Sequence, residues 1–193
     1  MNRRQGLFLL LLPAVGTARA DVLIEGQTFA ATTRVAGHEP QLNGVGLRAV
    51  AWLKGYAAGL YLLRRATDAE QVLAMAGPKR LQLRMLQTAS AMEFVKAFDR
   101  GVKRNTAEAE RPALEARRQR FDAAVAGIGS VRQGDVVDLD FDPAQGLVFV
   151  HNGRRIGEPI PGADFYAALL RIFIGSKPTD PELKTGLLGG PVS

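Results

Sequence analysis

Residues 42–63 read LNGVGLRAVAWLKGYAAGLYLL, and the fold turns on whether this run is helix or sheet. Gly55 and Gly59 would each weaken a helix by about 1 kcal/mol. Two short buried strands about the Lys54-Gly55 pair therefore fit better than one helix. Gly44 and Gly46 then provide a tight turn ahead of the strands, or let backbone approach a neighbour closely. Arg48 stands as a permanent cation at the mouth of a long apolar stretch. A guanidinium stays charged inside a protein, and burying it without a partner is costly. Either it points into solvent or something anionic meets it.

Outward from that stretch, strand and helix signals alternate. VLIEGQTF (22–29) and ATTRV (31–35) are β-prone pieces, and GHEPQLNGVG (37–46) reads as a loop or hairpin connection. Thr67-Asp68-Ala69-Glu70 is a capping box with Thr67 as N-cap, opening a helix that Gly77-Pro78 stops after about Ala76. LQLRML (81–86) alternates as a strand. Ser90-Ala91-Met92-Glu93 is a second capping box, followed by Ala91, Val95, Phe98 and Val102 at helical spacing. A further helix is predicted from about Glu108 to Ile128, with Leu114, Phe121, Val125 and Ile128 inward and Arg117, Arg118 and Arg120 on a solvated face.

In VVDLDFD (136–142), Val137, Leu139 and Phe141 take one face and Asp138, Asp140 and Asp142 the wet one. LVFVHNGRRI (147–156) follows, with Asn152-Gly153 suited to a type I′ turn. FYAALLRIFIG (165–175) is a last amphipathic helix, with Asp164 as N-cap and Gly175 past its end. Asp180-Pro181 opens a short terminal helix. Strands early and late with helices between them give an α+β class.

A chain of 193 residues suggests one domain. Its first twenty residues are expected to be removed: Arg3 and Arg4, an apolar run from Leu7 to Val15, and Ala18-Arg19-Ala20 are the three parts of a secretory signal peptide cleaved after Ala20. The expected location is periplasmic, by the Sec route unless Arg3-Arg4 marks twin-arginine export. Without Arg3, Arg4 and Arg19 the formal charge of +6 falls to +3, too mild for a dedicated nucleic-acid binder. There is no cysteine, which excludes disulfides and thiolate chemistry. No later stretch has the length of a membrane span, so the mature chain is expected to be soluble.

Candidate chemistry is sparse. Gly44-Val45-Gly46-Leu47-Arg48-Ala49 matches G-x-G-x-x-A, but it does not follow a buried strand, and Asp68 belongs to a capping box. Asp138, Asp140 and Asp142 resemble the start of an EF-hand loop, yet Pro143 and Phe149 stand where glycine and glutamate are required. His38 and His151 are far apart and make a poor zinc pair without cysteine, so no metal is expected. No G-x-S-x-G elbow exists, and nothing argues for nucleophilic catalysis. Arg48 remains: an arginine fork at the rim of an apolar cavity fixes a carboxylate by bidentate, charge-assisted hydrogen bonds.

LNGVGLRAVAWLKGYAAGLYL, a helix-rich middle, and IFIGSKPTDPELKTGLLG at the end (172–189) resemble the chalcone isomerase-like family, in particular its exported bacterial branch. The resemblance covers essentially residues 21–190, so the chain reads as a leader (1–20) and one chalcone isomerase-like domain (21–193). It implies an open-faced β-sandwich, an antiparallel sheet with helices on one face and a ligand cleft between. In the plant enzymes of that family the matching arginine stabilises negative charge while a chalcone closes to a flavanone; in non-catalytic relatives it holds a fatty-acid carboxylate. Arg48 matches that arginine. The other catalytic positions fall near Tyr56, Phe94, Gly101 and Ile172, and the polar network they would form is largely missing.

Three expectations follow from the residues and the resemblance together. The first is a periplasmic binder of a fatty acid or similar amphipathic anion, without a cofactor, with Arg48 as carboxylate anchor and Tyr56 as second donor. The second is an isomerase or intramolecular lyase acting on an enone, with Arg48 as the catalytic electrophile. The third is a non-catalytic scaffold for a periplasmic or membrane partner.

Overall fold

The computed structural model describes residues 20–50 and 53–191. The expected signal peptide, apart from Ala20, lies outside the described residues. In chain order, β1 (Val22–Ile24) and β2 (Gln27–Phe29) form a small hairpin, and β3 (Gln41–Val50) pairs with β4 (Leu53–Leu62). After α1 (Ala69–Ala74) come β5 (Lys79–Met85), β6 (Ala89–Ser90) and α2 (Ala91–Asn105). A 3-10 turn leads into α3 (Arg111–Ala126), then β7 (Ser130–Val131), β8 (Val136–Asp142), β9 (Gly146–His151) and β10 (Arg154–Arg155). The chain closes with α4 (Ala163–Ile174) and α5 (Pro181–Leu187). The main sheet runs β10-β9-β8-β5-β4-β3, antiparallel throughout.

Residues 42–63 are therefore a hairpin, as expected, but a longer one. Val50 lies opposite Leu53, and Lys54 and Gly55 belong to β4 rather than to the connection between the strands. Gly44 and Gly46 are strand residues rather than a turn. Their second expected role is the one the structure bears out. A Cβ on Gly44 would lie 2.1 Å from the carbonyl oxygen of Gly186, and one on Gly46 2.7 Å from that of Leu183. The two glycines let α5 rest its backbone directly on β3. ATTRV is not a strand: Thr32 and Val35 make only isolated bridges, because Ala36 and Gly37, at φ 49° and 76°, turn the chain back at His38.

The sheet has two unlike faces. Leu60, Leu62, Leu81, Leu83, Leu139 and Phe149 point to the helical layer, where α2 packs against α3 and α4. Burial of this apolar area is the main stabilising contribution. Across the sheet, Phe29, Leu42, Val45, Ala57 and Tyr61 form a smaller cluster under the β1–β2 hairpin. Asp138 and Asp140 lie on that second face and are buried, not wet. The register sets Arg80 opposite Asp140 and Gln82 opposite Asp138, so the polar residues of β5 satisfy those of β8.

Capping follows the expected sites with two changes. Asp68, not Thr67, caps α1, accepting from the N–H of Glu70 and of Gln71. Ser90 caps α2, and Asp180 caps α5 by accepting from Glu182 and Leu183 at 2.9 and 3.1 Å. Asp164 does not cap α4; Gly162 occupies that position at φ 106°. The Asp164 carboxylate instead takes both terminal nitrogens of Arg117, at 2.6 Å each. Asn152 and Gly153, at φ 50° and 76°, turn the chain as type I′ requires. Among the described residues, no helix is long and apolar enough to cross a membrane.

Candidate functional site

Between the helical layer and the sheet lies a cavity of about 790 Å³. That volume is within the usual range of small-molecule sites, about 300–1,000 Å³. Its floor is the sheet, with Leu83, Met85 and Val137, and its walls are Phe98, Phe121 and Phe173. Phe98 and Phe121 meet at a tilt of 53° with centroids 4.5 Å apart, and Phe121 also meets Phe149 at 5.7 Å. These rings form a rigid apolar wall. At the outer end of the same cavity stand Arg48 and Tyr56.

β3 and β4 place these two residues opposite one another, and the register then shifts, with Gly55 of β4, beside Tyr56, as the extra residue of the bulge. A bulge re-aims the side chain beside it. Arg48 Nη1 donates to the Ala49 carbonyl at 2.7 Å and to Asp180 Oδ2 at 3.2 Å. The cation therefore has an anion built into the chain. Gly44 meets Gly186, Gly46 meets Leu183, and Arg48 meets Asp180, so the residues on one face of β3 step along α5 to its cap. Asp180 serves twice, with Oδ1 capping α5 and Oδ2 on Arg48.

The pair is not sealed: 27% of the Arg48 side chain and 13% of the Asp180 side chain remain accessible. Both bonds use Nη1, and among the described residues Nε and Nη2 have no acceptor. The Tyr56 hydroxyl has no hydrogen-bond partner among the described residues either. Burial pushes its phenol well above the ordinary value, partly offset by Arg48, while Asp180 adds to the rise. At neutral pH Tyr56 is a neutral donor on the strand facing Arg48.

The structure brings together four of the five positions that the resemblance picked out. Arg48, Tyr56, Phe94 and Ile172 all line the one cavity. A Cβ on Gly101 would lie 2.6 Å from Ile172, so that glycine makes room for α4 against α2. Other expected positions lie elsewhere. Asp138 and Asp140 are on the opposite face of the sheet, and His38 turns back on the Ala36 carbonyl. His151 bonds Asp135 at 2.9 Å beside a separate hollow of about 610 Å³. Arg117, Arg118 and Arg120 lie on the outer side of α3 but are engaged, tying it to α2 through Asp99, to α4 through Asp164 and to the Pro159 carbonyl.

Sequence reasoning missed Asp180 as the partner of Arg48, though it found it as a cap. It also passed over Lys96, Arg100 and Arg104, which are exposed and line the same cavity. Their spacing of four along α2 was the available signal.

A six-stranded antiparallel sheet with helices on one face, a second small core on the other and a cleft under the helices is an open-faced α+β sandwich. The chain belongs to the chalcone isomerase-like family, whose model matches residues 21–189. Among solved structures, the crystal structure of an Arabidopsis thaliana fatty-acid binding protein is similar to it with a TM-score of 0.66. Identity is 16%, with 87% of this chain and 95% of that chain covered. The likeness shows a shared fold. No curated protein sequence matches significantly.

Proposed function

We propose that the protein binds a fatty acid or similar amphipathic carboxylate, its chain in the apolar cavity and its carboxylate at Arg48 and Tyr56. The observation that carries this reading is the pairing of a 790 Å³ apolar cavity with unengaged donors on Arg48 at its rim. Nε and Nη2 form one edge of the guanidinium, the edge a carboxylate takes bidentately. Tyr56 supplies a third donor. Each methylene buried contributes about 0.8 kcal/mol before ordering costs, so the wall of aromatic rings supplies most of the affinity. The fatty-acid binding described for the Arabidopsis protein of the same fold supports this choice of ligand.

Phe94, Gly101 and Ile172 offer no side-chain hydrogen bond to a reacting group, which supports binding over turnover. The place of action is the periplasm, after removal of residues 1–20. The test is native purification of the mature protein, extraction, and mass spectrometry of bound lipid, beside Arg48→Ala. Carboxylate-bearing lipid on the wild type and far less on the variant is the expected result. Equal retention by both sinks the anchor role, chalcone cyclisation lost in Arg48→Ala would promote the isomerase reading, and an always-empty protein would favour a scaffold.

A further inference from the structure

We infer that the mouth of the cleft is a docking surface for an anionic lipid bilayer, so that ligand passes between membrane and cavity without crossing water. The inference rests on the lipid-binding reading of the cleft, but its observations are independent of Arg48. Lys96, Arg100 and Arg104 succeed one another at intervals of four along α2, and all three line the cavity while remaining exposed. Exposed residues that line a cavity stand at its opening. Among the described residues none of the three has an ion-pair or hydrogen-bond partner. Among the described residues that line the cavity, Glu93 is the one acid.

The neighbouring helix is built differently. On α3, Arg117 and Arg118 are matched by Asp164, Asp99, Glu115 and Asp122. On α2 the cations are left unmatched and flank an apolar opening. Leu53, at the end of the β3–β4 hairpin and in the cavity lining, is 52% exposed, and Met92, one turn before Lys96 on α2, is 48% exposed. Large apolar side chains beside a cationic ridge form an interfacial pattern: the charges meet anionic headgroups while the apolar groups enter the boundary below. A small soluble anion would complement the charges but leave Leu53 and Met92 in water. A bilayer also presents the proposed ligand at the mouth of the cavity.

The test uses flotation of the mature protein with vesicles of phosphatidylcholine alone and of phosphatidylcholine with phosphatidylglycerol, with no fatty acid added. The wild type is expected to float with the anionic vesicles only, and less as salt rises. Lys96→Gln/Arg100→Gln/Arg104→Gln, confirmed folded by circular dichroism, is expected to lower vesicle partitioning on the order of 100-fold, about fivefold per charge. Leu53→Asp, which leaves the ridge intact, is expected to lower it further from the wild-type value. Wild-type protein that stays unbound with anionic vesicles overturns the inference, as does a triple variant that floats like the wild type, or equal flotation with both vesicle types. Because no fatty acid is present, failure here leaves the Arg48 reading standing. Loss of lipid from Arg48→Ala leaves docking untouched.

Discussion

Two arginines on opposite faces of the same sheet show how differently a cation can be housed. Arg80 is held on every side: Nε and Nη2 take both oxygens of Asp140 at 2.6 and 2.7 Å, Nη1 donates to Thr33, and Asp138 lies 3.6 Å away. Arg48 uses one nitrogen for both of its contacts and leaves an edge open to a cavity. The first is a closed structural site, the second an incomplete one. A fully satisfied guanidinium stabilises its surroundings and offers nothing to a ligand. A half-satisfied one at the rim of an apolar cavity is held in place and still has donors to give.

Breaking the closed site should have the largest effect on stability. Arg80→Ala leaves Asp138 and Asp140 buried without their cation, and the expected loss is ~3–5 kcal/mol in urea denaturation. Lipid binding by the remaining folded protein should persist. Next comes the seam that delivers Asp180 to Arg48. Gly44→Ala forces α5 off β3, with an expected cost of ~1–3 kcal/mol. Because α5 carries Asp180, the same change should disturb the rim of the cleft, visible as altered ligand affinity.

The open site is sharpened by Asp180→Asn. Asparagine caps a helix as well as aspartate, so stability should change by less than ~1 kcal/mol. The carboxylate that competes for Arg48 is gone, and affinity for a fatty acid should rise, by up to about fivefold given the worth of a partly exposed pair. A fall in affinity would mean that Asp180 orients Arg48 more than it occupies it.

The smallest expected effect lies on the helical layer away from both arginines. Asp122 is pushed up to about 6 by burial and then by Asp99, against the opposing pull of Arg118, and its Oδ1 is buried without a partner among the described residues. A carboxyl whose folded pKa exceeds its unfolded value stabilises the fold below the unfolded value and loses that contribution as pH rises through the folded one. Stability should therefore decline from about pH 4 to about pH 6, and Asp122→Asn should flatten that slope in urea midpoints measured across the range.

Much of this architecture was legible in the residues, and the misses share one physical cause. Local pattern placed α2, α4, α5, β8 and the Asn152-Gly153 turn, because periodicity and capping report directly on a single element. It set Gly44 and Gly46 outside the strand because glycine weakens strands; what fills the space of their missing side chains is the backbone of α5, about 140 residues away. It set Asp138 and Asp140 in water because alternation says which residues share a face, not what covers that face. The alternating Arg80, Gln82 and Arg84 of β5 carried the complementary half of that information. Arg48 was found, but its partner was not, since Asp180 reaches it only through the seating of α5.

In the proposed complex, Arg48 recognises the charge of a ligand whose chain lies in the apolar cavity. The most direct measurement is the affinity of wild type and Arg48→Ala for a fatty acid and for the fatty alcohol of equal length. The wild type should prefer the acid by roughly tenfold or more, as a charged hydrogen bond allows, and Arg48→Ala should bind both alike through the cavity alone. An acid preference that survives in Arg48→Ala would contradict the claim.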